Sequence, residues 1–370
     1  MDYHGFTLRA NLATETGQVE GALDDEIAMI ADATARILAD LADPQAVNAA
    51  ADEGWRAPLW QALVDAGLTR AWLPEAAGGA GLSLDGGFEV LRIAGQYACP
   101  VALAETLLAG WALVQAGLEV PEGVLTLAPM RPRDPLEIGA GGQVTGRARS
   151  VAHAEEADFV VVTQGSRLAL LARGTYQVTP RQTDMGAERG DVVFDGANSV
   201  ALADLACGME GVLRMAAAAR ASQMTGALET ALAITTEYSG EREAFGRKIG
   251  KFQAVQQNLA QLAGEVAAAL TVSGSAAATL AHEALDGDAA FLEVAAAKIR
   301  CGEAVEKGGA IAHQCMGAIG WTQEHVLQRF TRRMWGWRDD FGTEAEWAVR
   351  LGQQVASAGG ETLWPMITTR

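Results

Sequence analysis

Apolar positions recur with helical spacing over 24–43, where Ile27, Ile30, Ile37, Leu38 and Leu41 fall on one face and Pro44 marks the end. A second helix is predicted over 55–66. A breaker-rich loop follows through Leu73, Pro74, Glu75, Gly78, Gly79 and Gly81, and helical spacing resumes over 84–97 and 101–116. The texture changes near Val120. Between 125 and 205 short apolar runs (159–163, 168–172, 192–194) alternate with Gly, Pro, Asp and Asn, and Pro129, Pro132, Pro135 and Pro180 exclude long helices. From Cys207 onward the pattern predicts long helices near 209–238, 252–285, 288–317, 324–337 and 344–357, which short loops would pack as an antiparallel bundle. The expected fold class is α+β in three parts: an N-terminal helical domain (1–119), a small central β-barrel-like domain (120–206) and a C-terminal four-helix-type bundle (207–370). The first two bundle helices carry apolar residues on more than one face, which predicts assembly with other chains through the bundle.

Charge narrows the choice of partners. Lys and Arg number 28 against 46 Asp and Glu, a formal net charge of −18. Such a surface repels phosphate backbones, so no nucleic acid is expected, and any anionic ligand needs a local group of cations. The hydrophobic fraction is 49% with only 6% aromatic, which leaves an Ala-rich interior suited to closely packed helices. Cys99, Cys207, Cys301 and Cys315 form no CxxC pair, and His153, His282, His313 and His325 have no metal spacing. Free thiols in a reducing compartment and no metal are the expectation. The opening MDYHGFTLRA lacks a basic region followed by an apolar core, and the uncharged stretch 266–281 falls short of the about 20 residues a span requires. A cytoplasmic protein with no membrane partner is expected. Gly139, Gly141 and Gly142 read as a turn before Val144 rather than a dinucleotide fingerprint, and Arg329, Arg332 and Arg333 as cations for a partner or a ligand phosphate or, more commonly on one helix face, as salt-bridging cations.

Two segments carry chemistry. One places Arg242, Phe245 and Gly246 shortly after Tyr238 and shortly before Phe252, Gln253 and Gln256; the other spaces Gln314, Gly317, Gly320, Thr322 and Glu324. Arg242 offers a planar cationic fork suited to a pyrophosphate, Phe245 a flat face for adenine or ribose, and Gln253 an amide at a helix start. An Arg and a Phe at this spacing are, by themselves, usually a surface pair; the combined spacing favours flavin contact. Together with Leu73-Pro74-Glu75 and 95–100, these segments resemble the acyl-CoA dehydrogenase family over nearly the whole chain. The resemblance implies FAD as cofactor and α,β-desaturation of an acyl-CoA thioester, with a base taking the α-proton while hydride leaves the β-carbon. It also implies that Arg242, Phe245 and Gln253 reach the adjacent subunit's FAD, that Gln314 and Gly317 support the same ADP half, and that Thr343 matches a further cofactor position.

The departures from that family are as informative. The position of its usual catalytic Glu holds Phe341, which cannot accept a proton, and an alternative base position falls on Ala216. Asp340 is a candidate substitute base, against the plainer reading of a solvated carboxylate at a helix end. The stretch from Thr126 to Asp134 lacks the family's Glu and Gly-Ser, and Ser150 and Ala152 replace a Trp and a Thr that approach the flavin. The pattern resembles the base-lacking subunit of heteromeric bacterial acyl-CoA dehydrogenases that act on bulky thioesters, steroid side chains included. That implies a base-carrying paralogue as partner and an acceptor of the electron-transfer flavoprotein type. The alternatives are a complete homotetramer using Asp340, a non-catalytic acyl-CoA-binding or assembly subunit, and a flavin monooxygenase.

Overall fold

The computed structural model describes residues 19–181 and 189–368; the opening segment weighed for a signal peptide lies outside them. The first helices are α1 (Val19–Ala42), α2 (Pro44–Ala49), α3 (Arg56–Asp65), α4 (Leu84–Gln96) and α5 (Leu103–Gln115). Pro44 both ends α1 and opens α2. It occupies the first helical position, where a missing N–H costs nothing, and Asp43 caps α2 by accepting the Ala46 N–H at 2.8 Å.

Eight strands follow: β1 (Leu125–Ala128), β2 (Leu136–Ile138), β3 (Gln143–Ala152), β4 (Phe159–Gln164), β5 (Arg167–Ala172), β6 (Gln177–Arg181), β7 (Arg189–Asn198) and β8 (Ala201–Asp204). They form two open four-stranded sheets, β1-β4-β5-β8 and β2-β3-β7-β6, in which β1 and β4 are parallel and the other pairs antiparallel. The barrel-like expectation is thus corrected: among the described residues the sheets share no strand pair, so nothing closes them into a barrel. The Gly139–Gly142 turn links β2 to β3 through a Gly142 N–H to Gly139 C=O bond of 2.9 Å.

The last section holds α6 (Gly208–Glu241), a hairpin of β9 (Glu243–Ala244) and β10 (Arg247–Lys248), then α7 (Gln253–His282), α8 (Asp288–Met316), α9 (Leu327–Asp339), α10 (Glu344–Ala358) and α11 (Leu363–Thr368). Helix α6 is the axis of the molecule. It packs against α4, α7, α8 and α9, and every residue from Gly211 to Leu228 is buried. Its all-round apolarity is therefore satisfied within the chain. Glycines set how closely it lies on α4: a β-carbon on Gly226 would run into the Arg92 carbonyl, and one on Gly95 into that of Gln223. Helix α7, by contrast, turns Ala260, Ala263, Gly264, Ala267, Thr271, Gly274 and Ala278 to solvent. Among the described residues no helix is long and apolar enough to cross a membrane, no cluster of metal-ligating side chains occurs, and the four cysteines are free.

Candidate functional site

The loop between α9 and α10 carries Asp340, Phe341, Gly342 and Thr343. Its backbone is held from both sides. Phe341 donates its N–H to the Met130 carbonyl at 2.7 Å, and its own carbonyl accepts the Trp347 Nε1–H at 3.0 Å. This clasp keeps Phe341 in the left-handed region at φ 57°, where a non-glycine residue is strained. The phenyl ring is fully buried among Leu127, Pro129, Thr163, Met209, Val212 and Leu213, and the space left beside it is only about 10 Å³. That is barely one water and no thioester.

Asp340 is not solvated, which corrects the plainer sequence reading. It is 3% exposed and grips Arg189 with both oxygens, at 2.7 and 3.0 Å, while Arg220 Nε reaches Oδ2 at 3.0 Å. Arg220 continues the chain to Gln223 and Glu105, each at 2.5 Å. Burial pushes both carboxylates up, yet the attraction of Arg189 and Arg220 on Asp340, and of Arg220 and His153 on Glu105, holds each below its ordinary value. A carboxylate so held is a poor proton acceptor. Lys298, also buried, donates to the last carbonyls of α9, Trp337 at 3.1 Å and Arg338 at 2.7 Å; burial pushes it down to about 8, with Asp340 opposing. Ala216, the alternative base position, is buried in α6.

The groups around Ser150 and Ala152 are equally committed. Ser150 donates its N–H to Asp191 at 2.8 Å and accepts Arg189 at 3.0 Å; the Ala152 carbonyl accepts the Thr126 hydroxyl at 2.7 Å. Thr343 forms a capping box on α10: its hydroxyl accepts the Glu346 N–H at 3.2 Å, and Glu346 accepts the Thr343 N–H at 3.0 Å. Apart from the buried Arg189 Nε, the groups named here already have partners, and among the described residues no void at this loop receives a flavin ring. The ring half of FAD does not fit this part of the chain.

The opposite end of α6 differs in every respect. Arg242 caps the helix, is exposed, and makes no side-chain hydrogen bond or ion pair among the described residues. The tight hairpin sets Phe245 and Gly246 at φ 54° and 77°, the geometry of a primed two-residue turn, and leaves Phe245 97% exposed at its tip. Gln253 is the exposed first residue of α7, and Gln314 and Gly317 are exposed where α8 ends. A contact of Cys315 with Asn258 and a 6.4 Å approach of the Tyr238 and His325 rings tie these helix ends together. Five of the six cofactor residues expected from the sequence thus share one end of the bundle, and Thr343 does not. A free guanidinium, an exposed phenyl and two free amides suit the diphosphate and nucleoside of an ADP half.

The two regions lie far apart. Phe341 packs on Val212, and Arg242 sits 30 residues further along the same helix. At about 1.5 Å per residue that is roughly 45 Å, more than one dinucleotide can bridge within a single chain.

Sequence reasoning missed Arg189 and Lys298, and also Glu105. The signal was present for one of them, since Glu105 is a lone charge inside an apolar helical run, where burial demands a partner.

A helical layer, two open sheets and a long-helix bundle make up the architecture of acyl-CoA dehydrogenase flavoproteins. The chain belongs to the acyl-CoA dehydrogenase family: the model for the family's N-terminal domain matches residues 24–120 and that for its C-terminal domain residues 207–344. FAD is that family's cofactor. Among curated proteins the chain is 28% identical to the acyl-CoA dehydrogenase IpdE2 of Mycolicibacterium smegmatis, covering 90% of this chain and 100% of the relative. Among solved structures it is similar to the ChsE4-ChsE5 complex of Mycobacterium tuberculosis, with TM-score 0.80, 24% identity and coverage of 93% and 99%. It is also similar to a Tcur3481-Tcur3483 steroid acyl-CoA dehydrogenase variant, with TM-score 0.77, 27% identity and coverage of 91% and 99%.

Proposed function

We propose that this chain is the base-lacking subunit of a heteromeric FAD-dependent acyl-CoA dehydrogenase, working in the cytoplasm on a bulky, steroid-type acyl-CoA. The partner is a base-carrying acyl-CoA dehydrogenase chain, and the electrons pass to an acceptor of the electron-transfer flavoprotein type. The observation that carries the reading is the contrast along α6. Phe341 beside Val212 and the Asp340–Arg189–Arg220–Glu105 network fill one region, and a free Arg242 with an exposed Phe245 stands at the other end of the helix, roughly 45 Å from Val212 and roughly 33 Å from Arg220. An ADP-facing corner with no flavin pocket of its own within reach is a corner for another chain's flavin. Two-chain acyl-CoA dehydrogenases with this fold support the arrangement.

The chemistry supplied by bound FAD is acceptance of hydride from the β-carbon of the thioester. This chain's share is binding. Arg242 would hold the pyrophosphate, Phe245 would cover the sugar or base, and the Gln253 and Gln314 amides would hydrogen-bond the remaining polar edge. Proton removal falls to the partner's carboxylate. At the α9–α10 loop this chain contributes packing and exclusion of water.

Native mass measurement on the complex recovered through a tag on this chain tests the reading. One FAD per pair of unlike chains is expected, and no flavin in this chain purified by itself. Stoichiometric flavin in the isolated chain, bleached by acyl-CoA, would overturn it; a pair of unlike chains without flavin would make this an assembly subunit.

A further inference from the structure

The end of α8, the helical turn Gly317–Trp321 and α9 enclose an open cavity of about 490 Å³ lined by Glu306, His313, Gln314, Gly317, Trp321 and Trp335. Its wall is aromatic. The His313 and Trp321 rings stack with centroids 3.7 Å apart and planes at 16°, and Trp335 lies 6.2 Å from each, within 30° of parallel. Trp321 nevertheless stays 61% exposed. An indole held flat by a ring beneath it and left open above is a stacking surface waiting for a planar partner.

The ring below adds a second observation. His313 is 3% exposed, and its Nε2 meets the Thr331 hydroxyl at 2.9 Å, while its Nδ1 is buried with no hydrogen-bond partner. That nitrogen is turned into the protein toward Gly320 and lies beneath the indole, so His313 serves the site as a fixed flat support rather than as a ligand-facing group. Burial pushes His313 down to about 4, so at neutral pH the ring is uncharged and stacks without repelling an electron-poor heterocycle. Glu306 is engaged by Arg338 at 2.8 Å. Gln314 and Gly317, which face the ADP half in the proposed function, line this same cavity. Gly317 turns in the left-handed region at φ 68° with open space where a β-carbon would project. The approach is therefore unobstructed.

We infer that Trp321, seated on His313, is the stacking platform for an adenine ring, with the Gln314 amide available to its polar edge. The inference deepens the proposed function and rests on it: the adenine favoured is that of the partner-held FAD, whose pyrophosphate Arg242 meets at the same end of the bundle. Coenzyme A carries the same ring, and the experiment separates the two sources.

The test uses the complex of both chains with wild type, Trp321→Ala and Trp321→Phe, and with Trp364→Ala as a control at another exposed indole, 72% exposed on α11. Two readouts are taken: flavin released on dilution, followed by flavin fluorescence, and KM for acyl-CoA with FAD in excess. Flavin loss about ten- to a hundredfold faster in Trp321→Ala is expected, restored toward wild type by Trp321→Phe and unchanged in Trp364→Ala. A raised KM with unaltered flavin release supports the platform and assigns the adenine to coenzyme A. If neither readout moves while the complex still holds one FAD per pair, the platform is refuted and the proposed function stands. A complex that holds no FAD, or FAD in this chain alone, refutes both.

Discussion

Asp340 separates a structural strut from a catalytic base, and Asp340→Asn is the perturbation that decides. In the wild-type chain this carboxylate accepts three charged hydrogen bonds, two from Arg189 and one from Arg220, in a region shut off from water. Asn keeps the shape but loses the charge, and its amide turns donors toward donors. Arg220 retains Glu105 at 2.5 Å, whereas Arg189 keeps only the Ser150 carbonyl at 3.0 Å. Breaking one side of a buried pair costs about 3–5 kcal/mol, because the surviving cation is stranded. At about 2–4 °C per kcal/mol for large domains, Tm should fall by roughly 6 °C or more.

The pH dependence gives a second handle on the same group. Asp340 and Glu105 have folded values below their unfolded ones. Their contribution is therefore fully present above about pH 4 and is lost as pH falls through the folded values. The variant should show a shallower loss of stability on the acid side. Circular dichroism melts from pH 3 to pH 7 on both proteins measure this. Replacing Arg189 and Asp340 together by apolar residues should recover part of the loss, since no Arg189 cation is left stranded and Arg220 keeps Glu105. A Tm within about 1–2 °C of wild type, with flavin reduction slowed by the about 10²–10⁴-fold that a positioned base supplies, would refute the strut and make Asp340 the base after all.

Three more outcomes follow from the same geometry. Lys298 binds a proton less readily when folded, about 8 against 10.5, so wild-type stability should rise between about pH 8 and pH 10.5, by on the order of 3 kcal/mol, and the rise should be absent in Lys298→Met under chemical denaturation. Arg242→Ala should leave the melting of the chain unchanged, because the side chain is exposed, but weaken FAD retention in the complex about ten- to a hundredfold, read by flavin release on dilution. Phe341→Glu should not create a dehydrogenase: it places a carboxylate among Leu127, Val212 and Leu213 with about 10 Å³ to spare, so an anaerobic bleaching assay should stay flat while the melt drops.

Element types were legible in the sequence because helical periodicity is local. The range predicted over 209–238 became Gly208–Glu241, and that over 252–285 became Gln253–His282. Strand pairing was not legible. The runs at 159–163 and 168–172 were visible, but nothing local shows that β1 joins β4 in parallel or that β3 and β7 belong to a second sheet. The same distinction holds at the sites. The Arg242–Phe245 hairpin is written in a few adjacent residues, so its exposure could be expected. The fate of Asp340 depends on Arg189, 151 residues earlier, and on Arg220, 120 residues earlier; no window of sequence contains them together. The stacking of Trp321 on His313 was likewise not legible, since it is set by the turn between α8 and α9.

On the proposed function, the α9–α10 loop is where this chain gives up its own chemistry without losing its fold. The backbone clasp, Phe341 N–H on Met130 and Trp347 Nε1–H on the Phe341 carbonyl, holds the strained turn whatever side chain it carries. A hollow left there would cost stability in proportion to its volume, about 24 cal/mol per Å³. A phenyl ring removes that cost, and an ion network across α5, α6, β7 and the loop closes the remainder. Once a neighbouring chain provides the reacting groups, nothing opposes this filling. Nothing comparable happens at the other end of α6: burying Arg242 or Phe245 against this chain would leave a partner's dinucleotide uncovered. On the proposed function, the exposed phenyl there is the cost of an interface, and the buried one at Phe341 is what the chain gains when the chemistry is done in its partner.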